Sequence, residues 1–225
     1  MYHHVNSDRC SNDLAIFEEH LKYIKNNFKT IFPGEEITSK SVCLTFDDAY
    51  ADFYFLIFPL LKKYNLKALL AIPSKYILDD TEEEAENRMN FEHNDLFENY
   101  QKATFCTYKE LKQMQESGLV VFGSHSHSHI DLTQKEVDLD LELRVSKQIL
   151  EDKLNTKIDS FVFPFGKYNQ YNFRIGNAIH KDFSGINGAI YRVDGDNLKT
   201  ADEIFKTTKL LKYKFKGIVK RLGKK

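Results

Sequence analysis

The sequence predicts a parallel α/β fold, closed as a barrel or open as a doubly wound sheet. Three observations predict it. Apolar runs of strand length, about six in all, alternate with amphipathic segments of helical period. The residues that carry chemistry each follow directly on such a run, as at the carboxyl edge of a parallel sheet. No internal repeat divides the chain.

The bulk numbers fit one domain. At 225 residues the chain is long enough to bury a core, and 42% hydrophobic with 29% charged residues are globular values. The 32 basic and 33 acidic residues nearly cancel, so no nucleic-acid partner is expected. Cys10, Cys43 and Cys106 are scattered and form no CxxC pair, which fits a reducing compartment. Met1 to Val5 carries no basic-then-apolar leader, and no run is apolar enough to span a bilayer. A cytoplasmic location is therefore expected.

In chain order, residues 2–5 read as a very short first strand. Leu14, Phe17, Leu21, Ile24 and Phe28 put one apolar stripe on a helix over 13–28, which Pro33-Gly34 follows. Val42–Phe46 is a strand. Residues 51–64 read as a helix kinked or restarted at Pro59. Leu66–Ile72 is a buried strand. Residues 76–104 are acidic and aperiodic, and read as a partly helical, mobile excursion. Thr107-x-x-Glu110 is a capping box for the next helix, with Gly118 at its end. The strand Leu119–Phe122 follows. A second capping box, Thr133-x-x-Glu136, opens a helix with Val137, Leu141, Val145 and Ile149 as its stripe. Ile158–Phe163 is a strand stopped by Pro164. A short helix over 170–182, a strand over Ser184–Tyr191 and Ala201–Phe205 lead into the tail.

Three constellations sit at strand ends. Asp47-Asp48 follows Phe46; adjacent carboxylates on extended chain point to opposite sides and suit two jobs. Paired acids are also common on solvated surfaces, so the pair gains weight from the next constellation. In Gly123-Ser124-His125-Ser126-His127-Ser128-His129, the spacing of His125 and His129 brings two imidazoles to one ion where the backbone curls. Two His and one carboxylate leave a coordination position open, and the second carboxylate is then free to act as a base. Zn suits this set first, with Co, Ni or Mn as alternatives. Third, Phe163-Pro164-Phe165-Gly166 offers a loop wall whose Phe165 N–H faces the site and binds an oxyanion. Tyr50, Pro164 and Phe165 are the candidate substrate contacts.

Thr45-Phe46-Asp47-Asp48, the His125–His129 segment and Phe163-Pro164-Phe165-Gly166, in this order, resemble the first three motifs of the NodB-type polysaccharide deacetylases. Tyr2-His3-His4-Val5 is similar to the first strand of many members, and Thr107-Tyr108-Lys109-Glu110-Leu111 to the helix before their histidine motif. The resemblance spans residues 2 to about 190. It implies a distorted (β/α) barrel of six to seven parallel strands, with residues 1–205 as the barrel and 76–104 as an insertion. It implies metal-dependent removal of an acetyl group from an N-acetylated sugar. Asp47 would be the general base, Asp48, His125 and His129 the metal ligands, and the Phe165 amide an oxyanion donor. His127 falls at a variable position and is not carried over.

Two departures stand out. Val162 occupies the place of a motif arginine, so Arg192 or Arg174 is the candidate to support Asp47. No histidine follows His180, so His3 is the candidate general acid. Residues 206–225 hold nine Lys or Arg and no acid, with Leu211, Phe215, Ile218 and Leu222 at helical spacing. This tail suits either a final packed helix or peripheral contact with the inner membrane surface. A lipid- or nucleotide-linked sugar of cell-surface glycan biosynthesis would be a fitting substrate. The alternatives are an O-acetyl or other amide hydrolase, a glycan-binding module that keeps the metal pocket without catalysis, and a metal-storage element.

Overall fold

The computed structural model describes residues 1–36, 40–179, 182–183, 195–196 and 200. Helix α1 (Leu14–Asn27) begins where Asp13 accepts hydrogen bonds from the Ala15 and Ile16 N–H groups. Its buried face is Phe17, His20, Leu21 and Ile24. The apolar run at 42–46 is divided between two sheets. Strand β2 (Ser41–Val42) pairs with β1 (Lys29–Thr30), and beyond Cys43 the chain enters the main sheet as β3 (Leu44–Phe46).

The main sheet joins β3 to β4 (Ala68–Ile72), β5 (Val120–Ser124), β6 (Ser160–Phe161) and β7 (Asp182–Phe183), every pair parallel. The strands run in chain order with no reversal. A doubly wound sheet would reverse at a switch point, so the wall is that of a barrel. It curls into a half-barrel, and Tyr2 extends it by a parallel bridge to Phe46. Every residue of β4 is buried, as expected of a strand covered on both faces.

Pro59 does what its missing N–H dictates. A π-helical stretch, Phe53–Ile57, ends with the Phe58 N–H on the Phe53 carbonyl, and α2 (Phe58–Tyr64) restarts with the proline in its first turn. The segment after β4 is better held than its composition suggests. It contains only the short helix α3 (Ala85–Arg88) and isolated 3-10 turns. Its return is stitched to the chain after β3 by the Ala51 N–H on Thr104 O and the Cys106 N–H on Ala49 O, at 2.9 and 2.8 Å. Arg88, 2% exposed, bridges Glu110 bidentately at 2.6 and 2.8 Å and donates to the Ala103 and Phe105 carbonyls. Glu110 is also the last member of the Thr107 capping box, which opens α4 (Tyr108–Glu116) as expected.

The second capping box is not formed. Asp131 captures the N–H and hydroxyl of Thr133 in a local turn. Asp138 instead accepts from the Asp140 and Leu141 N–H groups, and the helix begins there, as a π stretch (Asp140–Val145) running into α5 (Ser146–Leu154). The extra residue of the π turn rotates the buried face. Leu143, Ser146, Leu150 and Leu154 point inward, and Val137, Leu141, Val145 and Ile149 are not fully buried. Helix α6 (Gln170–Ile179) precedes β7. His180, the run Ser184–Tyr191, Arg192, Ala201–Phe205 and the tail 206–225 lie outside the described residues. No helix among the described residues is long and apolar enough to cross a membrane.

Candidate metal and acid–base site

Because β3, β5 and β6 are parallel, their carboxyl ends share one rim. Asp47 and Asp48 follow β3, His125 follows β5, and Pro164 and Phe165 follow β6. The backbone there is strained in a concentrated way. Asp48, Ala49, Ser126, His129 and Phe165 all take positive φ, between 51° and 75°, without being glycine. Each such residue costs on the order of 1 kcal/mol or more and persists only where the surroundings enforce it.

Asp48 Oδ1, His125 Nε2 and His129 Nε2 all lie within 4.8 Å of one another. The two imidazole nitrogens approach the carboxylate oxygen to 3.4 and 3.1 Å, yet that buried oxygen makes no hydrogen bond. Lone pairs converge with no proton well placed between them, and two imidazoles with a carboxylate are a transition-metal donor set. The residues fit a cation. His125 is already in the right tautomer, because its Nδ1–H donates to the Val162 carbonyl at 2.8 Å and leaves Nε2 as the ligand atom. Burial alone would raise the Asp48 pKa, but His129 and His125 hold it well below the usual carboxylate range. Burial pushes His129 down to about 4, so its ring is neutral at ordinary pH.

His127 is turned away, its Nδ1 2.9 Å from Ser74 Oγ. The loop that carries the three histidines is pinned by a residue that no sequence motif marks. Glu142, buried in the π turn before α5, accepts the His127 and Ser128 N–H groups at 2.9 and 2.8 Å.

Tyr2 pairs with β3 through Tyr2 N–H to Thr45 O and Asp47 N–H to Tyr2 O, both 2.9 Å. This brings His3 beside the acids, with Nε2 4.0 Å from Asp47 Oδ2. The other ring nitrogen, Nδ1, is bonded to Asp196, which also accepts the His3 backbone N–H at 3.0 Å. Burial would lower the His3 pKa, but the Asp196 hydrogen bond and the charges of Asp48 and Asp47 raise it to about 9. Asp196 is likewise unmarked by any motif; its one local signal is the turn-favouring residue composition of Asp194-Gly195-Asp196. That glycine is required, since a Cβ on Gly195 would stand 2.4 Å from the Tyr2 ring.

Val162, in the place of the motif arginine, is buried against Leu69 and Ala71. Arg174 is exposed and makes no ion pair among the described residues. Tyr50 is 2% exposed and stacks on His4 at 3.8 Å, which makes it a wall behind the acids more than a surface contact. Pro164 is buried, whereas Phe165 is 63% exposed with its ring 4.8 Å from that of His129. The Phe165 N–H meets no acceptor among the described residues.

The family model described as polysaccharide deacetylase matches residues 34–181, more than half the chain. The chain belongs to the polysaccharide deacetylase family. Among relatives of this chain is YxkH of Bacillus subtilis (strain 168), named as a putative polysaccharide deacetylase, 26% identical over 184 residues. Another is the poly-beta-1,6-N-acetyl-D-glucosamine N-deacetylase of Escherichia coli (strain K12), 30% identical over 93 residues, 41% of this chain. The chain spans 57% of the length of YxkH, matching with 76% of its own, and 13% of the Escherichia coli protein. The Streptococcus pyogenes deacetylase PplD, solved in complex with acetate, is 26% identical with a TM-score of 0.58, over 74% of this chain and 69% of that one. The distorted barrel of this family is therefore the fold of the chain.

Proposed function

We propose that this protein removes acetyl groups from an N-acetylated sugar of a surface glycan, with a divalent cation as cofactor. The observation that carries the reading is the convergence of Asp48, His125 and His129 directly beside Asp47 and the His3–Asp196 pair. Asp48, His125 and His129 would hold the cation, with Zn first and Co, Ni or Mn as alternatives; when bound it supplies a Lewis acid for the acetyl carbonyl and acidifies water.

The chain's own residues supply the rest. Asp47 takes the proton of the attacking water as general base. The Phe165 N–H, on a residue of left-handed backbone at the rim, donates to the oxyanion as it develops. His3 carries a proton at neutral pH and presents Nε2 to the rim, so it protonates the leaving amine. Asp196 holds the opposite ring nitrogen and keeps the proton available. The charged His3 ring also stands beside Asp47 where a motif arginine is missing. Phe165, exposed next to His129, is the apolar wall for the sugar. The sugar proposed is a β-linked N-acetylglucosamine polymer, by likeness to the Escherichia coli relative.

Acetate release from N-acetylated glycan oligomers, with and without chelator, tests the reading. Asp47→Asn should retain bound metal and lose at least about 100-fold in kcat. Asp48→Ala should lose the metal. Full metal content in Asp48→Ala would sink the assignment, and release only from O-acetyl esters would move the activity to another bond.

A further inference from the structure

The two imidazoles that face Asp48 are held in different ways. His125 has a hydrogen bond on the ring nitrogen that does not face Asp48, to the Val162 carbonyl at 2.8 Å. That is the usual device for orienting an imidazole ligand. His129 has none. Its backbone N–H is fixed by Ser126 Oγ at 3.0 Å, but no described residue hydrogen-bonds its Nδ1. The torsion that turns an imidazole about its Cβ–Cγ bond is soft, so a fixed backbone does not fix the ring plane.

Packing stands in for the missing bond. The Phe97 ring lies 4.7 Å from the His129 ring at an interplanar angle of 16°, a stacked pair. Phe165 touches the same imidazole at 56°, but it sits exposed on a tight turn. Phe97 is itself wedged among Tyr76, Phe105 and Tyr50, at 4.8, 5.0 and 6.0 Å. The segment that carries it is tied down by Arg88 and by the backbone bonds at Thr104 and Cys106.

We propose that Phe97 is a positioning residue for His129, fixing by stacking the ring plane that a hydrogen bond fixes for His125. The inference rests on the metal reading above. It gives the segment between β4 and α4 a purpose, which is to bring an aromatic face to a ligand that the barrel strands leave half-oriented.

Zn2+ affinity, measured by competition with a fluorescent chelator, and the visible absorption of the Co2+-loaded protein report on ligand geometry without reference to turnover. Phe97→Leu keeps most of the volume and removes the ring face. It should weaken Zn2+ binding about tenfold and alter the Co2+ spectrum, as loss of an outer partner of a ligand does. Phe97→Tyr should restore both. Tyr100→Leu is the control, because Tyr100 packs in the same segment on Tyr76 and touches no ligand; it should stay within twofold of wild type. Phe97→Leu within twofold of wild type, or an equal loss in Tyr100→Leu, overturns the proposal. If Phe97→Leu does not fold, Phe97→Met is read by the same criteria. Wild-type protein that takes up no Zn2+ overturns the metal reading and this inference with it. Normal uptake by both wild type and Phe97→Leu overturns this inference alone.

Discussion

Asp196 decides how His3 behaves. Burial by itself would push the His3 ring toward deprotonation, and the hydrogen bond to Asp196 heads the influences that lift it to about 9. The Asp48 charge also contributes but is offset once a cation is held, so Asp196 is the partner to remove. Asp196→Asn should move the alkaline limb of the kcat/KM profile to lower pH, read as acetate release across a pH range of about 6 to 10. An unmoved limb would assign the acid elsewhere. Gly195→Ala should have the same effect by displacement, since its Cβ cannot fit beside Tyr2. What was legible here follows from range in sequence. Asp47, Asp48, His125 and His129 each follow a strand end, so a strand pattern is enough to bring them together. His3 meets Asp196 across 193 positions, and no local pattern announces that contact.

Elements position this site as much as its ligands do. The π turn before α5 aims Glu142 at the His127 and Ser128 N–H groups. Glu142→Ala would leave two loop donors unsatisfied and let the His125–His129 segment relax. Zn2+ affinity should fall about tenfold, measured by chelator competition. Residue types alone place a capping box at Thr133 and Glu136; the nearer Asp131 competes better for Thr133, and the helix register moves with it. The buried Arg88–Glu110 pair serves the segment that carries Phe97. Arg88→Ala strands a buried carboxylate and should cost about 3–5 kcal/mol, read as a lower midpoint in urea. Replacing both partners, as Arg88→Met with Glu110→Leu, should cost less than the single change, since no charge is left unpaired.

For the molecule as a whole, the alternation of strands and helices was readable in the sequence, and the strand order β3-β4-β5-β6-β7, which separates a barrel wall from a doubly wound sheet, was not. The His3–Asp196 pair also links protonation to folding. The folded pKa of His3 is about 9 against 6.5 ordinarily, so the folded state holds this proton more tightly. Its stabilisation is therefore fully present below about 6.5 and lost as pH rises through about 9. Urea midpoints of the wild type should fall over that window, and those of Asp196→Asn should fall less.

The meeting of Met1 and His3 with Gly195 and Asp196 also sets an order of assembly. The Gly195 N–H bonds the Met1 carbonyl, and the His3 N–H bonds Asp196. On a ribosome the strands bearing Asp48, His125 and His129 emerge long before residue 196 does. A nascent chain arrested short of Gly195 would have Asp48, His125, His129 and His3, and would lack the carboxylate that keeps the His3 ring protonated. The raised proton affinity of His3 would arrive only with the late segment, as a timer built into translation.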